Sequence, residues 1–221
     1  MSDARHPPAL GDHPRSATTT RMNTMDAKTY ATVADVCRRL AGRLPDDVLG
    51  TVREHYAAGE FALADATLLL SLTFHGVAIT SAERALLRAF VGEPDGSDLA
   101  GVPAVTEVPP LSYRFSVDGP PDAPDPAPAD TLLSVDAPRR HGRSLHRAWR
   151  TPLDGAPDAA AWTYVLLVAE GADEPSTYSG VLSTLWVALG QRWPVEVVAA
   201  DSPRTPYQEA ALAAAAAVWR A

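Results

Sequence analysis

Residues 44–92 read LPDDVLGTVREHYAAGEFALADATLLLSLTFHGVAITSAERALLRAFVG, and the starts and stops in this stretch set the architecture. Pro45 stands where a first helical turn tolerates it, beside Asp46 and Asp47. Gly59 ends that helix and Glu60 opens the next, which Gly76 closes. Thr80 and Glu83 form a T-x-x-E capping box ahead of Leu86, Leu87 and Phe90, and Gly92 stops the third helix. Three short helices are therefore bounded at both ends by residues with a physical reason to be there.

Apolar spacing extends the pattern. Tyr30, Val33, Cys37 and Leu40 recur at three and four, which predicts a helix from about Asp26 to Ala41. Val48, Val52 and Tyr56 line one side of a helix over 46–58. In the next, Phe61, Ala64, Leu68 and Leu72 form a stripe that Leu63, Leu69, Leu70 and Phe74 widen, so this helix is expected to be central and covered by the others. A fourth spans Ser81 to Val91. Short connections make neighbours pack, giving an all-α helical bundle over residues 26–92. Residues 1–25 carry a Thr run, Pro, His and Arg with little apolar content and read as a disordered leader, and Met22 and Met25 offer later translation starts.

Behind the bundle the texture changes. Nine prolines between Pro94 and Pro128 mark a connector over residues 93–130, with one strand at Leu111 to Val117. Residues 131–221 then read as a small α/β unit with a mixed sheet. Thr131 to Val135 reads as a strand, paired as a hairpin across Arg139–Gly142 with a strand at Ser144 to Thr151. Trp162 to Ala169 is a strand buried on both faces, because its apolar residues do not alternate. Tyr178 to Gln191 reads as a helix, Val195 to Ala199 as a strand, and the alanine-rich Tyr207 to Arg220 as a helix. Strand–helix–strand order implies a parallel crossover. The expected class is α+β overall, with bundle and sheet organised separately; whether the two halves touch is open at this level.

Composition narrows the function. With 27 acids against 19 bases the net charge is −8, which opposes nucleic-acid and anionic-membrane surfaces unless a local basic patch reverses it. The single cysteine excludes an intrachain disulfide and a cysteine-based zinc site and fits a reducing cytoplasm. Cys37 itself falls on the apolar stripe of the first helix and reads as core filling. No apolar run reaches the length of a membrane span, so no membrane partner is expected.

No metalloprotease, phosphate-loop, dinucleotide or nucleophile-elbow signature occurs, and no cofactor or catalytic residue is expected. Two constellations remain. Asp136, Glu170 and Asp201 each end an expected strand; if those strands run parallel, the three carboxylates converge at the sheet's carboxyl edge and would suit Mg²⁺. The ordinary alternative is that each caps the turn that follows its strand. Arg139, Arg140, Arg143, Arg147 and Arg150, with Trp149 among them, form the one basic run and could grip phosphate, nucleic acid or an acidic partner; a solvated hairpin paired with the acidic remainder is the commoner explanation of such a run.

The stretches LPDDV at 44–48, AGEFALA at 58–64 and GVAIT at 76–80 resemble the helical immunity proteins of bacterial polymorphic toxin systems, the Maf-type immunity proteins in particular. The likeness covers residues 44–92. It implies a non-enzymatic protein that binds and silences a toxin, and it assigns no catalytic residue. Protein binding is accordingly the expected function. The alternatives are a metal or small-molecule site at Asp136, Glu170 and Asp201, and a phosphate or nucleic-acid site at the arginine run.

Overall fold

The four N-terminal helices form within a residue or two of the expected bounds. α1 (Ala27–Leu40), α2 (Asp46–Ala57), α3 (Phe61–Phe74) and α4 (Ser81–Val91) appear in a computed structural model that describes residues 27–91 and 99–221. The expectations for residues 1–25 and for the stop at Gly92 lie outside the described residues. The capping box closes reciprocally: the Thr80 amide donates to Glu83 Oε2 at 2.8 Å, and the Glu83 amide donates to Thr80 Oγ1 at 3.2 Å. A two-residue strand β1 (Ile79–Thr80) pairs in parallel with β2 (Ala104–Val105). Val33, Cys37 and Leu40 of α1 share a core with Val52 and Tyr56 of α2 and Leu68 and Leu72 of α3.

α3 is not the covered central helix that its apolar circumference predicts. Ala64, Leu68 and Leu72 are fully buried, whereas Leu63, Leu70 and Phe74 are 50%, 71% and 84% exposed. One side of the helix packs on α2 and the opposite side faces outward.

The second half is a five-stranded mixed sheet with helices. Its elements are β3 (Tyr113–Ser116), α5 (Ala127–Asp136), a 3-10 turn (Ala137–Arg140), β4 (Gly142–Pro152), β5 (Ala161–Val168), α6 (Glu174–Leu189), β6 (Val195–Ala199), α7 (Pro206–Ala213) and β7 (Ala216–Arg220). β4 runs antiparallel to β5, and β5 runs parallel to β6 through α6, as the strand–helix–strand order implies. The other side of β4 carries β7 against its start and β3 against its end, both antiparallel. The fold is α+β. β5 is buried on both faces as expected: Tyr164, Leu166 and Val168 enter the core beneath α5 and α6, and Val165 packs with Ala211 of α7.

Three readings of this half are corrected. Thr131 to Val135 is helix, not strand, because Ala129, Leu133 and Ala137 recur every four residues and bury together. Pro128 is tolerated at that helix's first turn, and β4 takes β5 as its hairpin partner instead. The expected helix from Tyr207 to Arg220 stops at Ala213, and its alanine-rich end extends as β7. Alanine favours helix, but here the edge of β4 offers a ladder to fill, and Val218 and Trp219 pack onto the core beside it. The connector holds two strands, β2 and β3, rather than one.

Bundle and sheet meet across buried charge instead of standing apart. Arg53 of α2 donates to Glu196 of β6 at 2.9 Å, and both side chains are buried. Arg38 of α1 reaches Glu174 of α6 at 3.2 Å. Tyr113 and Tyr207 from the sheet half belong to the core of the bundle. Two glycines permit the approach. Gly42 has φ +73°, and a Cβ there would lie 2.4 Å from the Tyr207 ring; a Cβ at Gly50, inside α2, would lie 2.9 Å from the Tyr178 hydroxyl.

Glu196→Ala should leave the Arg53 guanidinium buried without its counter-charge and cost about 3–5 kcal/mol in urea unfolding. Glu196→Gln should cost less, since an amide oxygen still accepts from Arg53. Equal stability of wild type and Glu196→Ala would show that the pair does not join the halves.

Candidate functional site

The richest polar constellation lies at the amino ends of β5 and β6, where the start of α2 meets the end of β4. Pro45 starts α2 without a side-chain cap of its own. The missing acceptor comes from 112 residues away: the Asp46 amide donates to Asp158 Oδ2 at 3.1 Å and Oδ1 at 3.3 Å. Arg150 is 1% exposed and grips the Asp46 carboxylate with two nitrogens, at 3.0 and 2.6 Å. The same guanidinium donates to the Tyr207 hydroxyl at 3.0 Å and lies 4.6 Å from the centre of the Tyr113 ring. Tyr113 in turn accepts from the Asp158 amide at 2.9 Å.

A second network adjoins the first. Glu196 accepts from Arg53 on one oxygen and from Gln208 Nε2 at 2.8 Å on the other. Gln208 also completes the capping box of α7, its Oε1 accepting from the Thr205 amide at 3.2 Å. The Arg53 guanidinium sits 4.5 Å from the Tyr178 ring centre. Together the two networks wall a cleft of about 290 Å³.

Burial sets the protonation behaviour. Asp158 is pushed up to about 6, first by desolvation and then by the neighbouring Asp46 carboxylate, against the pull of Arg150. Burial raises Glu196 above the usual carboxylate range, with Arg53 opposing. The Cys37 thiol rises to about 11 on burial, which keeps it protonated and unreactive at neutral pH, in keeping with core filling.

The residues singled out in the sequence lie elsewhere or apart. Asp136 ends α5 rather than a strand and pairs with Arg140 at 2.5 Å. Glu170 follows β5 and lines a shallow hollow with Arg139, Arg140 and His141. Asp201 follows β6 and lines a different hollow with Arg38 and Glu174. Among the described residues no group of three or more His, Cys, Asp or Glu is placed to hold a metal ion. The arginine run is dispersed by the sheet: Arg139 and Arg143 are exposed, and Arg147 pairs with Asp130 and stacks on Trp162. Arg150 turns into the junction with Asp46. Sequence reading gave no role to Asp46 beyond its place at a helix start, and none to Asp158 or Glu196, because each acts through a partner over a hundred residues distant in the chain.

A second feature is the outward face of α3. Leu63, Leu70 and Phe74 fall within one stripe at spacings of seven and four, and none of the exposed side chains along this face carries a charge. Trp186 and Val187 on α6 are exposed as well.

The sign of the Asp158 effect follows from its raised value. The folded protein takes up the proton near pH 6, the unfolded chain near 3.8, so stability rises as pH falls through that window. Asp158→Asn keeps an oxygen for the Asp46 amide and removes the titration. The melting temperature of the wild type minus that of the variant should therefore increase between about pH 7 and about pH 4; a flat or opposite trend would contradict the assignment.

No known protein family matches the chain, and no curated protein or solved structure is significantly similar to it.

Proposed function

We propose that this is a non-enzymatic, protein-binding protein that docks its partner on the outward face of α3, and that the partner is a bacterial toxin. The observation that carries the reading is the exposure of Leu63, Leu70 and Phe74 along one side of a helix that stays apolar on both sides. An exposed apolar stripe of this kind gains free energy when a second protein covers it. Large apolar side chains in such a stripe are the usual anchors of an interface core, and Phe74, with a T-shaped contact to His75 at 5.0 Å, is the largest of them.

Two further points support the toxin as partner class. α3 lies inside residues 44–92, the segment that resembles the immunity proteins. The net charge of −8 suits a basic partner, such as a nuclease domain that binds nucleic acid. The phosphate or nucleic-acid reading of the arginine run has less support, since Arg140, Arg147 and Arg150 already face carboxylates.

The test is protection of a bacterial host. Co-expression with the toxin encoded beside the gene should rescue growth, and the pair should co-purify. Leu70→Asp with Phe74→Asp should abolish both effects while shifting stability by no more than about 0.5 kcal/mol, as exposed changes do. Growth rescue by the double variant would place the interface elsewhere. Failure of the wild type to protect would remove the toxin as partner.

A further inference from the structure

We propose that the corner of the sheet where the start of β4, the end of β7 and the segment leading into α7 meet docks a short acidic segment of another protein. This surface is separate from the outward face of α3.

The corner collects cations that nothing in the chain balances. Arginines that face the interior pair with carboxylates, as Arg53 and Arg150 do. Arg143, Arg204 and Arg220 are exposed, and their side chains join no ion pair or hydrogen bond among the described residues.

The strand register brings these residues together. Arg220 lies opposite Ser144 in the β4–β7 ladder, and the Ala221 amide donates to the Arg143 carbonyl at 3.0 Å. Leu145 enters the core beneath α5 and α6. Ser144 and His146 alternate with it, and Arg220 shares the face of its ladder partner, so these three stand on the side that α7 covers. Arg204 leads into α7 on that same side. His146 Nε2 lies 2.9 Å from Ser144 Oγ. Burial first, and then the charges of Arg220 and Arg204, hold the His146 imidazole below its ordinary value, so both guanidinium groups bear on one ring.

Neighbouring acids do not neutralise the corner. Asp201, shortly before Arg204, lines the hollow beside Arg38 and accepts from the Gly171 amide at 3.4 Å. Glu209 of α7 joins no ion pair among the described residues.

The chemistry of the partner follows from these groups. Like charges gathered on one surface repel, and a partner of opposite sign relieves the repulsion. Guanidinium groups match carboxylates two nitrogens to two oxygens, and the Ser144 hydroxyl can donate beside them. The three arginines and Ala217 stand on an outer surface, which suits a segment of chain better than a small molecule, since small-molecule sites are concave. A nucleic acid fits less well. Its binding surfaces offer a row of phosphate contacts and exposed aromatic rings, whereas Trp219 packs onto the core, and a chain of net charge −8 repels a polyanion beyond the corner.

The full chain is to be titrated at low salt, by fluorescence anisotropy, against a labelled peptide of about ten alternating glutamates and serines, with its glutamine–serine match as control. The acidic peptide should bind saturably and weaken as salt rises, and the neutral one should not bind. Arg204→Gln with Arg220→Gln should weaken the acidic peptide by about tenfold or more without lowering the melting temperature, since only unpaired like charges are removed. Arg88→Gln with Arg192→Gln removes the same charge from exposed positions elsewhere and should bind as the wild type does. The proposal is overturned if the acidic peptide does not bind, or if the two double variants bind it equally. It is also overturned if single-stranded oligothymidylate of matched length binds more tightly than the peptide, which would assign the corner to nucleic acid. Displacement of the peptide by equimolar inorganic phosphate would likewise overturn it in favour of a small anion.

Discussion

Arginine–carboxylate pairs, two of them buried and one partly so, fix how the helical half sits on the sheet. Arg53 with Glu196, Arg150 with Asp46, and Arg38 with Glu174 each join an element of the bundle to an element of the sheet half. Removing two opposite charges from water roughly cancels their mutual attraction, so such pairs add little net stability. Breaking one is expensive, however, because the survivor stays buried and unmatched. Their effect is to penalise every other placement of bundle against sheet, while the burial of Leu40, Leu49, Val52 and Tyr113 provides the attraction.

Side chains at this junction serve more than one element. Asp158 caps α2 from a loop between β4 and β5, and Gln208 both closes the α7 capping box and donates a hydrogen bond to the second oxygen of Glu196. A glutamate at 208 would satisfy the box and set two carboxylates against each other, so the neutral amide is required by its neighbour rather than by its own helix. Glu174 does similar work at the other end of the sheet, where Oε1 accepts from the Ala199 amide and the Ser202 hydroxyl, each at 2.8 Å. The cleft is left where these networks part, and it opens at the amino ends of the parallel strands, opposite to the edge where the carboxylates Glu170 and Asp201 lie.

Some elements were legible because their causes are local. The capping box of Thr80 and Glu83, the glycine stops at Gly59 and Gly76, and the β-branched run in β5 need only a few neighbouring residues to act. α5 could have been found from the four-residue spacing of Ala129, Leu133 and Ala137, a signal that the β-branched Thr131 and Val135 obscured. The site was not legible. Arg150 reads as one of five arginines in a basic run, yet it meets Asp46 across 104 residues, and no periodicity or motif encodes that distance.

The sequence by itself determined the helices of residues 27–91, the strands β4, β5 and β6, the α+β class and the place of Cys37 in the core, because helix caps and apolar period act over a few residues. Tertiary structure alone decided that Leu63, Leu70 and Phe74 of α3 face solvent. It also decided that alanines 216 and 217 form strand, and that Asp46, Arg150, Asp158 and Glu196 share one cleft. Each of those outcomes depends on which distant surface arrives to cover a side chain or fill a ladder, and that is a property of packing rather than of any local run of residues.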